Sequence, residues 1–209
     1  MKRFSKWIGA VIVLCCALGF SLPARAENMS SNYIVLKGGI FSPQNDKLNQ
    51  FGTGFNGEIA FGHYFNRYFA LEAGTGYFQT SRTTDTYAEA NLNFNVIPLT
   101  IAFKGIIPLD KFELYGIGGG GAYFLWTNTN ASGDDHYYRS NYSDSKTLVG
   151  GFLGLGASVK VSSKVFLGLE GKYLWTSTVT INNYNNTYSY NTDVNMNGII
   201  VTLNVGFLF

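Results

Sequence analysis

The last thirteen residues, Asn197 to Phe209 (NGIIVTLNVGFLF), alternate strictly and stop on an aromatic side chain. In an extended chain Ile199, Val201, Leu203, Val205, Phe207 and Phe209 share one face, and Ile200, Thr202, Asn204, Gly206 and Leu208 share the other. An unbroken apolar row backed by a small or polar row asks for hydrocarbon on one side only, which suits the wall of a barrel set in a membrane.

The opposite end carries an address. Lys2, Arg3 and Lys6 precede an apolar run from Trp7 to Phe20, and Ala24-Arg25-Ala26 has the small-x-small form of a signal-peptidase site, with Ala24 and Ala26 as its small residues. The expected division is a cleavable signal peptide, 1–26, and a barrel domain, 27–209. As a membrane helix, Trp7 to Leu22 falls short of the roughly 20 apolar residues a span needs. A lipoprotein anchor is disfavoured, because neither Cys15 nor Cys16 follows the small residue such a site wants. Both cysteines would leave with the signal, so the mature chain would have neither disulfide nor thiolate metal site. Removing Lys2, Arg3, Lys6 and Arg25 from 15 basic residues leaves 11 against 13 acidic, which turns a formal charge of +2 into −2. No polybasic run remains as a footprint for nucleic acid or heparin.

Composition then separates a membrane wall from a soluble domain. Only 13% of residues are charged and 16% are aromatic, against about 25% charged in soluble domains. Since no mature segment has the length of a membrane helix, a closed sheet is left as the way to satisfy every backbone group in lipid.

Eight alternating segments follow from the periodicity. The first, about 32–41, sets Ile34, Leu36 and Ile40 against Lys37. In the second, about 51–65, Phe55, Ile59 and Phe61 oppose Asn56, Glu58 and Ala60. A turn at Asn66-Arg67 leads to the third, about 68–79, with Phe69, Leu71, Ala73 and Tyr77 outward and Glu72, Gly74 and Gly76 inward. The fourth, about 91–104, slips phase between Leu92, Phe94, Val96 and Leu99, Ile101, Phe103. A β-bulge at 96–98, beside Pro98, would restore the facing. The fifth, about 112–126, is expected to turn Tyr115, Ile117, Tyr123 and Leu125 outward and Gly116, Gly118, Gly120 and Ala122 inward. The sixth, about 147–161, sets Val149, Leu153, Leu155 and Val159 against Phe152, Gly154, Gly156, Ser158 and Lys160. The seventh, about 165–175, sets Val165, Leu167, Leu169, Tyr173 and Trp175 against Gly168, Glu170 and Lys172. The closing strand is the eighth.

Short connections at 66–67, 105–111 and 162–164 alternate with longer ones at 42–50, 80–90, 127–146 and 176–193, rich in Asn, Ser, Thr, Tyr and Asp. Outer-membrane barrels keep short turns in the periplasm and long loops outside, which would place both termini in the periplasm. Signal, eight strands, loop alternation and terminal Phe together resemble the small bacterial outer-membrane barrel family of the OmpA-transmembrane-domain, OmpX and opacity-protein type. VIPLTIAFKG (96–105) and FELYGIGGGGAYF (112–124) are similar to that family's fourth and fifth strands. The resemblance covers 27–209 and implies an all-β, eight-stranded, antiparallel, up-and-down transmembrane barrel. It implies residence in the outer membrane among lipid and lipopolysaccharide, as a monomer, with Phe207 and Phe209 read by the outer-membrane assembly machinery. Unlike the full-length OmpA pattern, no peptidoglycan-binding domain is expected after Phe209.

An eight-stranded barrel is just wide enough to be filled by side chains. The expected interior charges are Lys37, Glu58, Glu72, Lys104, Lys160, Glu170 and Lys172, neutralising one another as an ion-pair network, with Tyr64, Phe124, Phe152 and Phe166 adding bulk. Gly116-Ile117-Gly118-Gly119-Gly120-Gly121 fits a dinucleotide pattern but lies in a strand, with no helix to receive a pyrophosphate. The Asn130, Asn141 and Asn185 sequons reflect loop composition. His63 reads as an interfacial residue and His136, beside Asp134 and Asp135, as a solvated one. Neither has a nucleophile and acid at triad spacing, so no catalytic residue, cofactor or metal is expected. The loop tyrosines Tyr87, Tyr137, Tyr138, Tyr142, Tyr184, Tyr188 and Tyr190 fit a contact surface or an aromatic girdle. The functional reading is a structural or surface-interaction barrel with a filled lumen. A narrow pore for small solutes is the alternative, and a lipid-modifying barrel enzyme the third reading.

Overall fold

A sheet in hydrocarbon has no water to satisfy an open edge, so its ladder must close on itself. The computed structural model describes residues 32–44, 52–84, 89–132, 141–185 and 188–209. The expected signal peptide and its cleavage site lie outside the described residues, as do Tyr87, Asp134, Asp135, His136, Tyr137 and Tyr138. Strands β1 (Asn32–Pro43), β2 (Gly54–Asn66), β3 (Phe69–Thr84), β4 (Glu89–Leu109), β5 (Phe112–Ser132), β6 (Asn141–Lys160) and β7 (Val165–Thr176) pair in sequence, all antiparallel. After a separate hairpin, β8 (Val179–Asn185) and β9 (Tyr188–Val194), strand β10 (Gly198–Leu208) joins β7 to β1 and completes a closed barrel. At the seam the Phe209 amide donates to the Asn32 carbonyl at 2.9 Å and the Asn32 amide to the Phe209 carbonyl at 3.3 Å.

Tight turns gather at the end that holds this seam. Asn66 Oδ1 accepts the amides of Tyr68 and Phe69 at 2.8 and 3.0 Å, closing an Asx-type turn. The 105–111 connection is tighter than its composition suggests, because β4 runs on to Leu109 and only Asp110 and Lys111 form the turn. Asp110 takes a left-handed φ of 56°, which a short polar side chain tolerates. At the far end β3 to β6 outrun their neighbours. Glu89 still pairs with Ser132 and Asn130 with Asn141, whereas β1 ends at Pro43, β2 begins at Gly54 and β7 stops at Thr176. Residues 176–193, expected as loop, hold most of the β8–β9 hairpin.

The outward rows of β1, β2, β3, β6, β7 and β10 carry the expected apolar residues. Ile199 to Phe209 spans ten residue steps, about 34 Å of strand at about 3.4 Å each. Tilted by about 40°, that covers about the 25 Å height of an outer-membrane barrel's apolar band.

Two strands correct the sequence reading. In β4 the register against both neighbours is unshifted from Ala90 to Gly105, so there is no bulge at 96–98. Phe94, Val96, Ala102 and Lys104 all point inward, and Leu99, Ile101 and Phe103 point outward, without a phase slip. Pro98 sits where the ladder to β3 is interrupted opposite Gly76 and Tyr77, and Thr75 Oγ1 donates to its carbonyl at 2.8 Å. A missing N–H is harmless in that gap. The one irregularity between β2 and β3 falls instead at Phe65, between Tyr64 and Asn66. In β5 the faces are reversed: Tyr115, Ile117, Tyr123 and Leu125 are buried inside, while Leu114, Phe124 and Trp126 are exposed outside with Gly116 and Gly118. The physical reason is common to both strands, since the far half of the lumen is filled with apolar side chains as a soluble core would be. Phe41 and Phe78 pack at 4.9 Å between ring centroids, with Phe94, Val96, Leu125, Leu148, Leu174 and Met196 buried in the same cluster.

Candidate functional site: an ion network inside the barrel

Alternation sends every second residue of each strand into a narrow lumen, so charges far apart in sequence must meet there. Lys37 and Glu58 are direct cross-strand partners on β1 and β2. Glu72 and Lys104 come inward from β3 and β4, and Glu170 and Lys172 lie two residues apart on β7. The Lys37 ammonium lies 2.9 Å from Glu72 Oε2, 3.1 Å from Glu170 Oε1 and 3.5 Å from Glu58 Oε1. Lys104 pairs with Glu72 Oε1 at 2.7 Å. Lys172 bridges Glu58 Oε2 at 2.7 Å and Glu170 Oε1 at 3.3 Å. These three ammonium and three carboxylate groups form one connected, charge-balanced cluster. The Lys37 and Glu170 side chains have no exposed surface.

Hydroxyls and rings complete the shell. Tyr33 OH donates to Glu72 Oε1 at 2.8 Å and Tyr115 OH to Glu170 Oε2 at 3.0 Å. Asn204 Nδ2 donates to Tyr115 OH at 3.4 Å, and Thr202 Oγ1 to Asn204 Oδ1 at 2.9 Å. The Lys104 ammonium stands over the Tyr115 ring at 4.1 Å, and Lys172 over Phe152 at 5.1 Å. With hydrogen bonds to the remaining lone pairs, burial of both signs of charge becomes tolerable.

The seventh expected interior charge, Lys160, joins a different pair nearer the turns. It lies 3.0 Å from Glu113 Oε1, while Ser158 and Tyr64 donate to Glu113 Oε2 at 3.4 Å each. Sequence reasoning missed Glu113 and Tyr115 because it reversed β5, and it passed over Tyr33. The signal was present: Glu113 shares parity with Tyr115, Ile117, Tyr123 and Leu125, and a carboxylate is costly on a lipid face. Of the expected bulky fillers, Tyr64, Phe152 and Phe166 line the lumen, but Phe124 is outside, 6.5 Å from Trp126 between ring centroids.

His63 sits on the outer face of β2, its Nδ1 2.8 Å from Asn32 Oδ1 and its ring edge-on to Phe65. No group of three or more His, Cys, Asp or Glu side chains suited to a metal occurs among the described residues. What the network can do is hold strands together. Its lysines and carboxylates pair with one another, and Tyr33 and Phe166 meet edge-to-face between it and the turns.

A closed antiparallel barrel with an apolar belt outside and a buried, charge-balanced interior defines a transmembrane β-barrel of the bacterial outer-membrane class. The model of the family described as "Outer membrane protein beta-barrel domain" matches residues 12–207, and the chain belongs to that family. It resides in the bacterial outer membrane. Three solved structures share the fold. A major outer membrane protein of Thermus thermophilus has a TM-score of 0.56 at 11% identity, with 86% of this chain and 98% of that one covered. Neisserial surface protein A has a TM-score of 0.55 at 14% identity, covering 88% of this chain and 100% of that one. OprG of Pseudomonas aeruginosa has a TM-score of 0.55 at 14% identity, covering 87% and 97%. At these identities the likeness concerns the fold alone. No curated protein sequence matches the chain.

Proposed function

We propose that this protein is a monomeric surface-interaction barrel, in which the membrane-spanning part is a plugged anchor and the far ends of β3 to β6 are the working surface. The observation that carries the reading is the unequal length of the strands. Continuous pairing from Thr84↔Ala90 through Glu89↔Ser132 to Asn130↔Asn141 builds a four-stranded extension that β1, β2, β7 and β10 do not share. A bare membrane wall has no use for it. In the orientation that family habit suggests, turns and termini face the periplasm, and this extension and the β8–β9 hairpin stand outside the cell beyond the lipopolysaccharide leaflet. Edges of such a sheet, and loops rich in Tyr, Asn and Ser, suit contact with other macromolecules.

The test is to shorten residues 81–92 and 127–144 to tight hairpins and compare the display of wild type and variant on cells. Both should reach the outer membrane and keep the heat-dependent gel shift of a folded barrel. Only the wild type should bind a panel of host-matrix and serum proteins. Equal binding by the two, or none by either, would sink the proposal. The narrow-pore alternative has one observation in its favour, a cavity of about 20 Å³ beside Glu58 and Lys172, and a bilayer conductance measurement decides it.

A further inference from the structure

The cavity lies where the ion network meets the apolar filling of the far half of the lumen, and its wall includes Asn56, Glu58, Thr100, Tyr123 and Lys172. Asn56 is on the inward row of β2, two residues from Glu58, and is 2% exposed. Its Nδ2 is the one buried side-chain nitrogen or oxygen without a hydrogen-bond partner among the described residues. A buried amide donor of this kind ordinarily has an acceptor. Glu58 supplies a second asymmetry. Its side chain retains 12% exposure while those of Lys37 and Glu170 retain none, and its Oε1 meets Lys37 only at 3.5 Å. One carboxylate oxygen of the network therefore still has room for a short donor.

We propose that this cavity is a binding site for a single water molecule, which accepts a hydrogen bond from Asn56 Nδ2 and donates one to Glu58 Oε1. Size and charge both select this ligand. A volume of about 20 Å³ exceeds the ~10–15 Å³ one water needs, with at least two polar partners on the wall. An anion would meet the Glu58 carboxylate, and a cation would meet the Lys172 ammonium, which lies 2.7 Å from that carboxylate. A neutral molecule that both accepts and donates satisfies the two groups at once. The water makes Glu58 the hydrated edge of an otherwise dry cluster and gives Asn56 a reason to be there. A leucine of similar size would fill the position with no polar atom to satisfy.

Crystals of the refolded barrel test this directly. The wild type should show an ordered solvent peak within about 3.2 Å of Asn56 Nδ2 and on the Glu58 side of the cavity. Asn56→Leu should lack the peak. Pressurising wild-type crystals with xenon should leave the cavity free of xenon, because a water held by Asn56 and Glu58 occupies it even though Phe78, Phe152, Leu174 and Ile200 line its other side. A xenon atom there, an empty cavity at a resolution that orders other buried solvent, or a bromide ion at the site after a soak would each overturn the proposal. These readouts need only the wild type, so they stand even if Asn56→Leu fails to refold.

Discussion

Lys37 illustrates how a single residue organises the lumen. A lone ammonium with no exposed surface would be prohibitively costly, and this one is tolerable because carboxylates from β2, β3 and β7 converge on it. Breaking such a cluster on one side strands the other, so Lys37→Met is expected to lower barrel stability by about 3–5 kcal/mol. Adding Glu170→Gln to that variant should recover part of the loss, because it removes the surplus carboxylate and leaves Lys104 paired with Glu72 and Lys172 with Glu58. Lys160 has a side chain that is 28% exposed, and its removal leaves buried Glu113 with the Ser158 and Tyr64 hydroxyls as donors, so Lys160→Met should cost less, about 1–2 kcal/mol. Urea unfolding of the refolded proteins in lipid vesicles measures all three. Equal losses for the two lysines would show that Lys37 is no hub.

At the scale of strands, recurring pairs of an aromatic residue with glycine explain how large rings fit a narrow barrel. Tyr33 pairs directly with Gly62, Tyr115 with Gly156 and Phe166 with Gly206. Each ring occupies the space that a Cβ on its glycine would need, the arrangement known to cover glycine in designed sheets. Gly156→Val should therefore lift the Tyr115 ring away from Glu170 and cost about 1–3 kcal/mol through overpacking, read as a lower urea midpoint. No loss on this substitution would refute the covering role. Strand existence, order and closure were legible because eight period-2 stretches leave a closed sheet as their common solution, and the charges at 37, 58, 72, 104, 170 and 172 shared the parity that points inward. Facing failed in β4 and β5, where apolar residues fill the inside as well as the outside and hydrophobicity loses its phase. Lys104 and Glu113 keep it, since neither belongs on a lipid face, and counting parity from them places Phe94, Val96, Tyr115 and Ile117 correctly. The β8–β9 hairpin was illegible because Asn, Thr and Tyr in alternation look the same in a ribbon as in a loop. Strand β10 carries one further expectation. Phe209 packs 6.2 Å from Phe61 on the outer surface, and its backbone closes the seam. Phe209→Ala keeps that pairing, so if the terminal aromatic is read during assembly, outer-membrane yield in cells should fall several-fold while the refolded stability drops by only about 1–2 kcal/mol. Unchanged yield would remove the assembly role.

For the molecule as a whole, the lumen holds two different barriers in series. Nearer the turns, the Lys37 cluster cross-links β1, β2, β3, β4 and β7 through ion pairs. Toward the far end, the Phe41–Phe78 pair lies in the same packed cluster as Leu148, Leu174 and Met196. A hydrated ion would need both to open, since the cavity between them has room for about one water. Barriers in series make a specific prediction for planar-bilayer recordings. The wild type should give no steady single-channel steps. Phe41→Ala with Phe78→Ala should also stay silent, because the ion pairs still span the lumen, and Lys37→Met alone should stay silent behind the apolar plug. Only the triple variant should conduct, with a preference for cations, because Glu72 and Glu170 would then face the path without Lys37. Loss of stability is expected in every variant, so folding is verified first by the heat-dependent gel shift. Steps from the wild type would replace the plugged anchor with a pore, and conduction by either partial variant would show that one barrier alone seals the barrel.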